Sequence, residues 1–169
     1  ALIDLHFLGI DNVLALRGDN AKGEQNFNPE INGNKNALDL VNQIKHMNNG
    51  VYLDDELTNA VPTNFCIGVA AYPEKHQDAP NIKSDINFLK KKVEAGAEFM
   101  VTQMFFDNKK YFDFVKTCEK EGLNIPIIPG IKPLSTKKQS YTLPKIFHID
   151  LPEDLVDAVE SCKDDKQVA

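Results

Sequence analysis

Apolar residues in this chain fall into short unbroken runs, separated by stretches in which they recur every three or four positions. The runs at 12–16 (NVLAL), 65–71 (FCIGVAA), 99–106 (FMVTQMFF) and 125–131 (IPIIPGI) predict four strands. Each is followed by a segment of helical periodicity: 36–47, with Leu38, Val41 and Ile44 in step, then 84–95, 109–121 and a stretch around 136–147. Ser84 reads as the cap of the second of these helices, and Gly96 and Gly122 stand where the second and third should stop. The tail, 152–162, repeats the pattern once more with Leu155, Val156 and Val159 on one side.

The strand runs are continuous and do not alternate, which is the pattern of strands covered on both faces. Parallel strands with helices outside follow from it. Two architectures have that form, a doubly wound open sheet and a piece of a (β/α)8 barrel. A whole barrel takes about 250 residues. Four βα units in 169 residues therefore predict an α/β fold that is a partial (β/α)8 TIM barrel, a single domain over 1–169. Two connections are long. The segment 20–35, polar and rich in Gly and Asn, follows the first strand and is a candidate lid; 48–64 leads into the second strand, on the face where insertions serve stability instead of function.

Composition narrows the function. A net charge of −6 opposes a nucleic-acid partner, whose phosphates need clustered Lys and Arg. No apolar run approaches the roughly 20 residues that span a bilayer, and the opening ALIDLHFLG has no basic flank of the kind a signal peptide carries. The 3 cysteines, Cys66, Cys118 and Cys162, are scattered, without CxxC or HExxH, so neither a disulfide framework nor a metal site is expected. Reduced thiols in the cytoplasm are the simple reading. Neither GxGxxG after a strand nor GxxxxGK[ST] occurs, which removes the Rossmann and P-loop modes of nucleotide binding.

Polar chemistry gathers where each strand ends. The first run delivers Arg17-Gly18-Asp19, the second Tyr72-Pro73-Glu74-Lys75-His76, the third Thr102, Gln103 and Asp107, the fourth Gly130, Lys132 and Ser135. In parallel α/β folds these ends share the face on which ligands bind. Each group also has an ordinary structural reading. Arg17 and Asp19 suit an ion pair as well as a ligand; Gly18 suits a tight turn or the close approach of a ligand. Gln103, inside an apolar run, needs partners for its amide, either backbone or bound molecule. Lys90-Lys91-Lys92 reads first as a solvated helix face, and Lys132 lies too far beyond its strand to be a desolvated Schiff-base lysine.

Four stretches in series, NVLALRGD, VAAYPEKH, KKKVEAGAEFMVTQMFFD and IPIIPGIKP, closely resemble the methylenetetrahydrofolate reductases, from about Leu8 to Gln139. The resemblance implies a flavoprotein barrel with FAD at the carboxyl ends of the strands. NADH or NADPH reduces the flavin and leaves; methylenetetrahydrofolate then takes its place and accepts a hydride, giving 5-methyltetrahydrofolate for one-carbon metabolism and methionine biosynthesis. By position, it implies flavin contacts at Arg17, Gly18, Asp19, Asn36, Ala37, Tyr72, His76, Ala79, Asp85 and Lys92. Folate or nicotinamide contacts are implied at Asp19, Gln103 and Gln139, with Asp19 favouring the cationic iminium form of the substrate. The family's general acid, a glutamate on an earlier strand, has no counterpart here. The chain is thus expected to be an interior fragment, inactive alone, from a cytoplasmic homo-oligomer. The alternatives are a non-catalytic half-barrel that binds ligand or pairs with a second copy through its open edges, and a related flavin barrel such as a proline dehydrogenase.

Overall fold

Strand and helix alternate along the chain as the periodicity predicts. The structure is a computed structural model that describes residues 1–18, 27–31, 33–54 and 56–168. Its elements are α1 (Leu2–Phe7), β1 (Asn12–Ala15), α2 (Ala37–Asn48), β2 (Cys66–Ala71), α3 (Ile82–Glu94), β3 (Phe99–Thr102), α4 (Asn108–Lys120), β4 (Ile127–Ile128), α5 (Lys137–Phe147), α6 (Glu153–Ser161) and α7 (Asp165–Val168).

The strands form one sheet in the order β1-β2-β3-β4. β1 and β2 run parallel, with Asn12 opposite Cys66 and Ala15 opposite Val69. β3 follows the direction of β2, because the bonded partners advance together: Glu98 N–H donates to Ile67 O at 2.7 Å and Gln103 N–H to Ala71 O at 2.8 Å. A doubly wound sheet reverses its strand order at a switch point. This one does not, and the α/β arrangement is compatible with part of a (β/α)8 barrel.

Local chemistry moves several boundaries from their expected places. α3 begins at Ile82, ahead of Ser84, because the Asn81 side chain accepts from the Ser84 N–H at 2.9 Å and its hydroxyl at 3.1 Å. Asn81, not Ser84, is the capping group. β3 stops at Thr102, four residues short of the apolar run, where the Met104 N–H turns onto the Gln103 side chain at 3.0 Å. β4 contracts to two residues between Pro126 and Pro129, neither of which has an N–H to donate. The short helices α1 and α7 bury nothing, so no apolar stripe marked them in advance.

By its contacts the chain divides into two units, Ala1–Ala70 with Asn87–Met100, and Ala71–Ile86 with Val101–Ala169. In the first, α2 lies on β1 and buries Val41, Ile44 and Met47. Phe65, Ile67, Val69, Leu89 and Met100 belong to the same unit and are likewise buried. β2 is covered as its continuous apolar run demands. β1 is not: among the described residues it pairs on one side only, and Leu14 remains 42 % exposed. The connection 49–64 is closed at its base by Asn48, which donates to Phe65 O at 2.8 Å and accepts from the Thr63 hydroxyl at 2.7 Å and the Phe65 N–H at 2.9 Å.

The second unit buries Phe114 and Cys118 of α4, Leu143 of α5 and Val159 of α6, with α5 packed on α6. Asp107 caps α4 by accepting the Lys109 N–H at 2.8 Å, and Gly122, at φ +79°, follows its end in the left-handed region. Cys118 is fully buried, and burial, assisted by the Glu119 charge, pushes its thiol up to about 11.

A thiol whose pKa is higher folded than unfolded favours the folded state until the unfolded thiol ionises. Stability should therefore fall as pH rises from the ordinary value of 9.0 toward about 11. Urea midpoints across that range check this, with the Cys118→Ala variant expected to show a shallower decline. Gly130 provides a second test. A methyl group there would lie 2.1 Å from the Thr102 carbonyl oxygen, a backbone atom with little room to yield. Gly130→Ala is expected to cost about 1–3 kcal/mol, read as a lower denaturation midpoint.

Candidate functional site

The segment leaving β2, Tyr72-Pro73-Glu74-Lys75-His76, is held by hydrogen bonds that converge on His76. Its N–H donates to Asp85 Oδ2 at 2.8 Å, and Asp85 stands in the first turn of α3. Its carbonyl accepts the Ala79 N–H at 3.0 Å, while Ala79 O accepts the Lys75 ammonium at 2.6 Å. Its ring Nδ1 accepts the Asp78 N–H at 3.1 Å, which leaves the neutral ring's proton on Nε2. Tyr72 meets the imidazole edge-on, centroids 4.6 Å apart and planes at 85°. Tyr72, His76, Ala79 and Asp85, distant candidates in sequence, thus form one connected cluster in the second unit.

Gln103 belongs to the same unit. Together with Tyr72, Glu74, Met104 and His148 it lines a crevice of about 10 Å³, room for no more than about one water. Its side-chain oxygen accepts the Met104 N–H at 3.0 Å; its amide NH2 has no partner among the described residues. A half-buried amide with free donors beside a tyrosine is equipped to read a polar ring edge. Next to it opens a wider cleft of about 520 Å³, lined by Glu74, Lys75, Gln77, Asp78, His148 and Asp150.

Gln139 is engaged differently. Its carbonyl oxygen accepts the Ser135 and Thr136 N–H groups at 2.7 and 3.3 Å, closing the start of α5. That is capping, with only the amide NH2 left for a ligand.

The first unit holds the remaining candidates. Asp19 lies outside the described residues. The Arg17 guanidinium sits over the Phe27 ring, 5.6 Å from its centroid. Gly18 has no left-handed φ, and among the described residues a methyl on it would meet only the Phe27 ring at an ordinary 3.6 Å. Asn36 caps α2 by accepting the Asp39 N–H at 3.1 Å, and Ala37 is the helix's first residue. Lys92, a flavin contact by resemblance, does not share the solvated face first read for the three-lysine run: it is 7 % exposed, with its ammonium 3.4 Å from Ala70 O and 5.3 Å above the Phe88 ring. Lys91, its neighbour, is the exposed one.

The partners of Glu74 were invisible to pattern reading. Glu74, whose side chain is 11 % exposed, accepts from the Lys110 ammonium at 3.1 Å and the Asp150 N–H at 2.8 Å; Lys110 also bonds Asp150 Oδ2 at 2.6 Å. Burial opposes the charge on Lys110, yet the hydrogen bonds its ammonium donates to Asp150 and Glu74 hold its pKa above the ordinary value. Among the described residues no three His, Cys, Asp or Glu side chains gather as metal ligands, and no helix is long and apolar enough to cross a membrane.

Strand order and the alternation of strand and helix define a chain of the (β/α) type. The comparisons carry that to a family: the profile described as methylenetetrahydrofolate reductase matches residues 1–169, and this chain belongs to that family. Methylenetetrahydrofolate reductase (NADH) 1 of Arabidopsis thaliana is 38 % identical over 176 residues, 99 % of this chain and 28 % of the relative. Methylenetetrahydrofolate reductase 2 of Saccharomyces cerevisiae is 34 % identical over 170 residues, 99 % of this chain and 26 % of its own length. The 5,10-methylenetetrahydrofolate reductase of Buchnera aphidicola is 35 % identical over 93 % of this chain and 47 % of its own. The chain therefore spans between about a quarter and a half of these relatives.

Gly18→Ala separates binding from packing. Because the methyl clashes with none of the described residues, stability should stay within about 0.5 kcal/mol of the parent by urea unfolding, whereas affinity for a ligand that lies against the Gly18 backbone should drop.

Proposed function

We propose that this chain contributes flavin- and folate-facing surface to a methylenetetrahydrofolate reductase, which passes a hydride from NADH or NADPH through FAD to methylenetetrahydrofolate. The observation that carries this is the family match over residues 1–169, joined to the hydrogen-bonded set His76, Ala79 and Asp85 with Tyr72 edge-on to the His76 ring. Relatives of both NADH and NADPH type support a nicotinamide reductant without choosing between them.

The donor set suits such a cofactor. Bound FAD would supply a two-electron relay between the reduced nicotinamide and the one-carbon unit of the folate. Tyr72 and His76 offer an aromatic edge and face, kept in register by Asp85. The Gln103 amide has donors to spare for a pterin or a carboxamide. The crevice beside it is too small for a ring, so the ligand lies on this surface and is not enclosed by it. Arg17, Gly18, Asn36, Ala37 and Lys92 are the flavin-facing candidates of the first unit. Asp19, outside the described residues, retains the proposed part of a carboxylate that favours the iminium cation of the substrate. No residue of the chain is assigned as general acid, and we place it in a cytoplasmic, oligomeric enzyme of methionine synthesis, as the relatives' names suggest for the activity alone.

Mixing the chain with FAD and following the flavin absorbance tests the proposal, and titration with methyltetrahydrofolate then tests the folate face. Gln103→Ala is expected to weaken folate binding about tenfold, the value of one well-made hydrogen bond, and to leave flavin uptake unchanged. Failure to take up flavin, or equal loss of both ligands, counts against it.

A further inference from the structure

Lys75 has φ +116°, a backbone conformation that suits glycine and strains a residue with a side chain. Such strain persists only where the surroundings over-determine it. Here they do so on both sides. After Lys75, His76 is bound to Asp85, and the lysine's own ammonium is held by Ala79 O. Before it, Glu74 uses both carboxylate oxygens, one on the Lys110 ammonium and one on the Asp150 N–H, groups 36 and 76 residues away in the chain.

An ion pair of this kind adds little to stability compared with a well-packed apolar group. Its distinctive property is direction. Two oxygens bound to two different elements, α4 and the segment after α5, fix the orientation of the peptide that follows. The same segment, through His148 and Ile149, lines the crevice shared with Tyr72 and Gln103. All of these groups lie in one unit.

We infer that Glu74, acting through Lys110 and Asp150, is a positioning residue that holds Lys75 in its strained conformation and thereby sets how Tyr72 meets His76. The consequence for ligand affinity rests on the flavin reading above; the geometric part does not.

The test uses the full chain and three variants, Glu74→Gln, Lys110→Met and Lys110→Arg, with two readouts. The first is the NMR shift of the His76 ring protons, which the nearby Tyr72 ring displaces. The second is FAD affinity. Glu74→Gln and Lys110→Met should bring the His76 signals toward those of a solvated histidine and weaken FAD about tenfold, and Lys110→Arg should keep both near the parent values. Gly130→Ala serves as a control, lowering the melting temperature without moving the His76 signals. Unmoved signals in Glu74→Gln, or equal damage from Lys110→Arg and Lys110→Met, overturn the inference. Signals that move in a chain whose parent takes up no FAD uphold the positioning role and overturn the flavin reading instead.

Discussion

A carboxylate withdrawn from water must be matched, and Glu74 is matched by a cation and a backbone amide at once. The loop that carries the aromatic pair depends on that match. Pro73 restricts the backbone on one side of Glu74 and the strained Lys75 follows on the other, so the segment has few conformations left once the carboxylate is held. Removing Lys110 alone leaves an uncompensated charge, which is why such triads cost more to break than they contribute by forming.

The sheet was legible in the sequence because its signal is redundant. Each strand is an apolar run, α2 to α5 keep their period over about three turns, and Gly96 and Gly122 occupy the left-handed positions their places after α3 and α4 require. What misled was competition between local groups. Ser84 and Asn81 are both capping residues, and only the structure shows that Asn81 accepts while Ser84 donates. The third apolar run continued through Phe105 and Phe106, yet Gln103 captures its neighbour's N–H and ends the ladder. Continuous apolarity also overstated the cover on β1, which among the described residues pairs on one side only.

The site divides in the same way. Tyr72, His76, Ala79 and Asp85 were proposed by resemblance, and hydrogen bonds among the last three with the Tyr72–His76 ring contact add a physical reason for the set. Gln139 shows the opposite case, an assigned ligand contact whose carbonyl is already committed to a helix start. Three lysines in a row suit a solvated face, and only the resemblance singles out Lys92 as a flavin contact; helical geometry buries Lys92 and exposes Lys91. Glu74 stood among the polar strand ends, but its bonds to Lys110 and Asp150 left no trace, because no spacing rule links residues so far apart.

Asn48 has a consequence for how this family can vary. It clamps the exit of α2 to the entry of β2, and Tyr52 adds a second rung by donating to Val61 O. The stretch inside the clamp is thereby uncoupled from the register of the sheet. The entropy of closing a loop grows only slowly with its length. Residues gained or lost between the rungs leave the strand where it is, which makes this excursion a natural place for lineages to diverge in size.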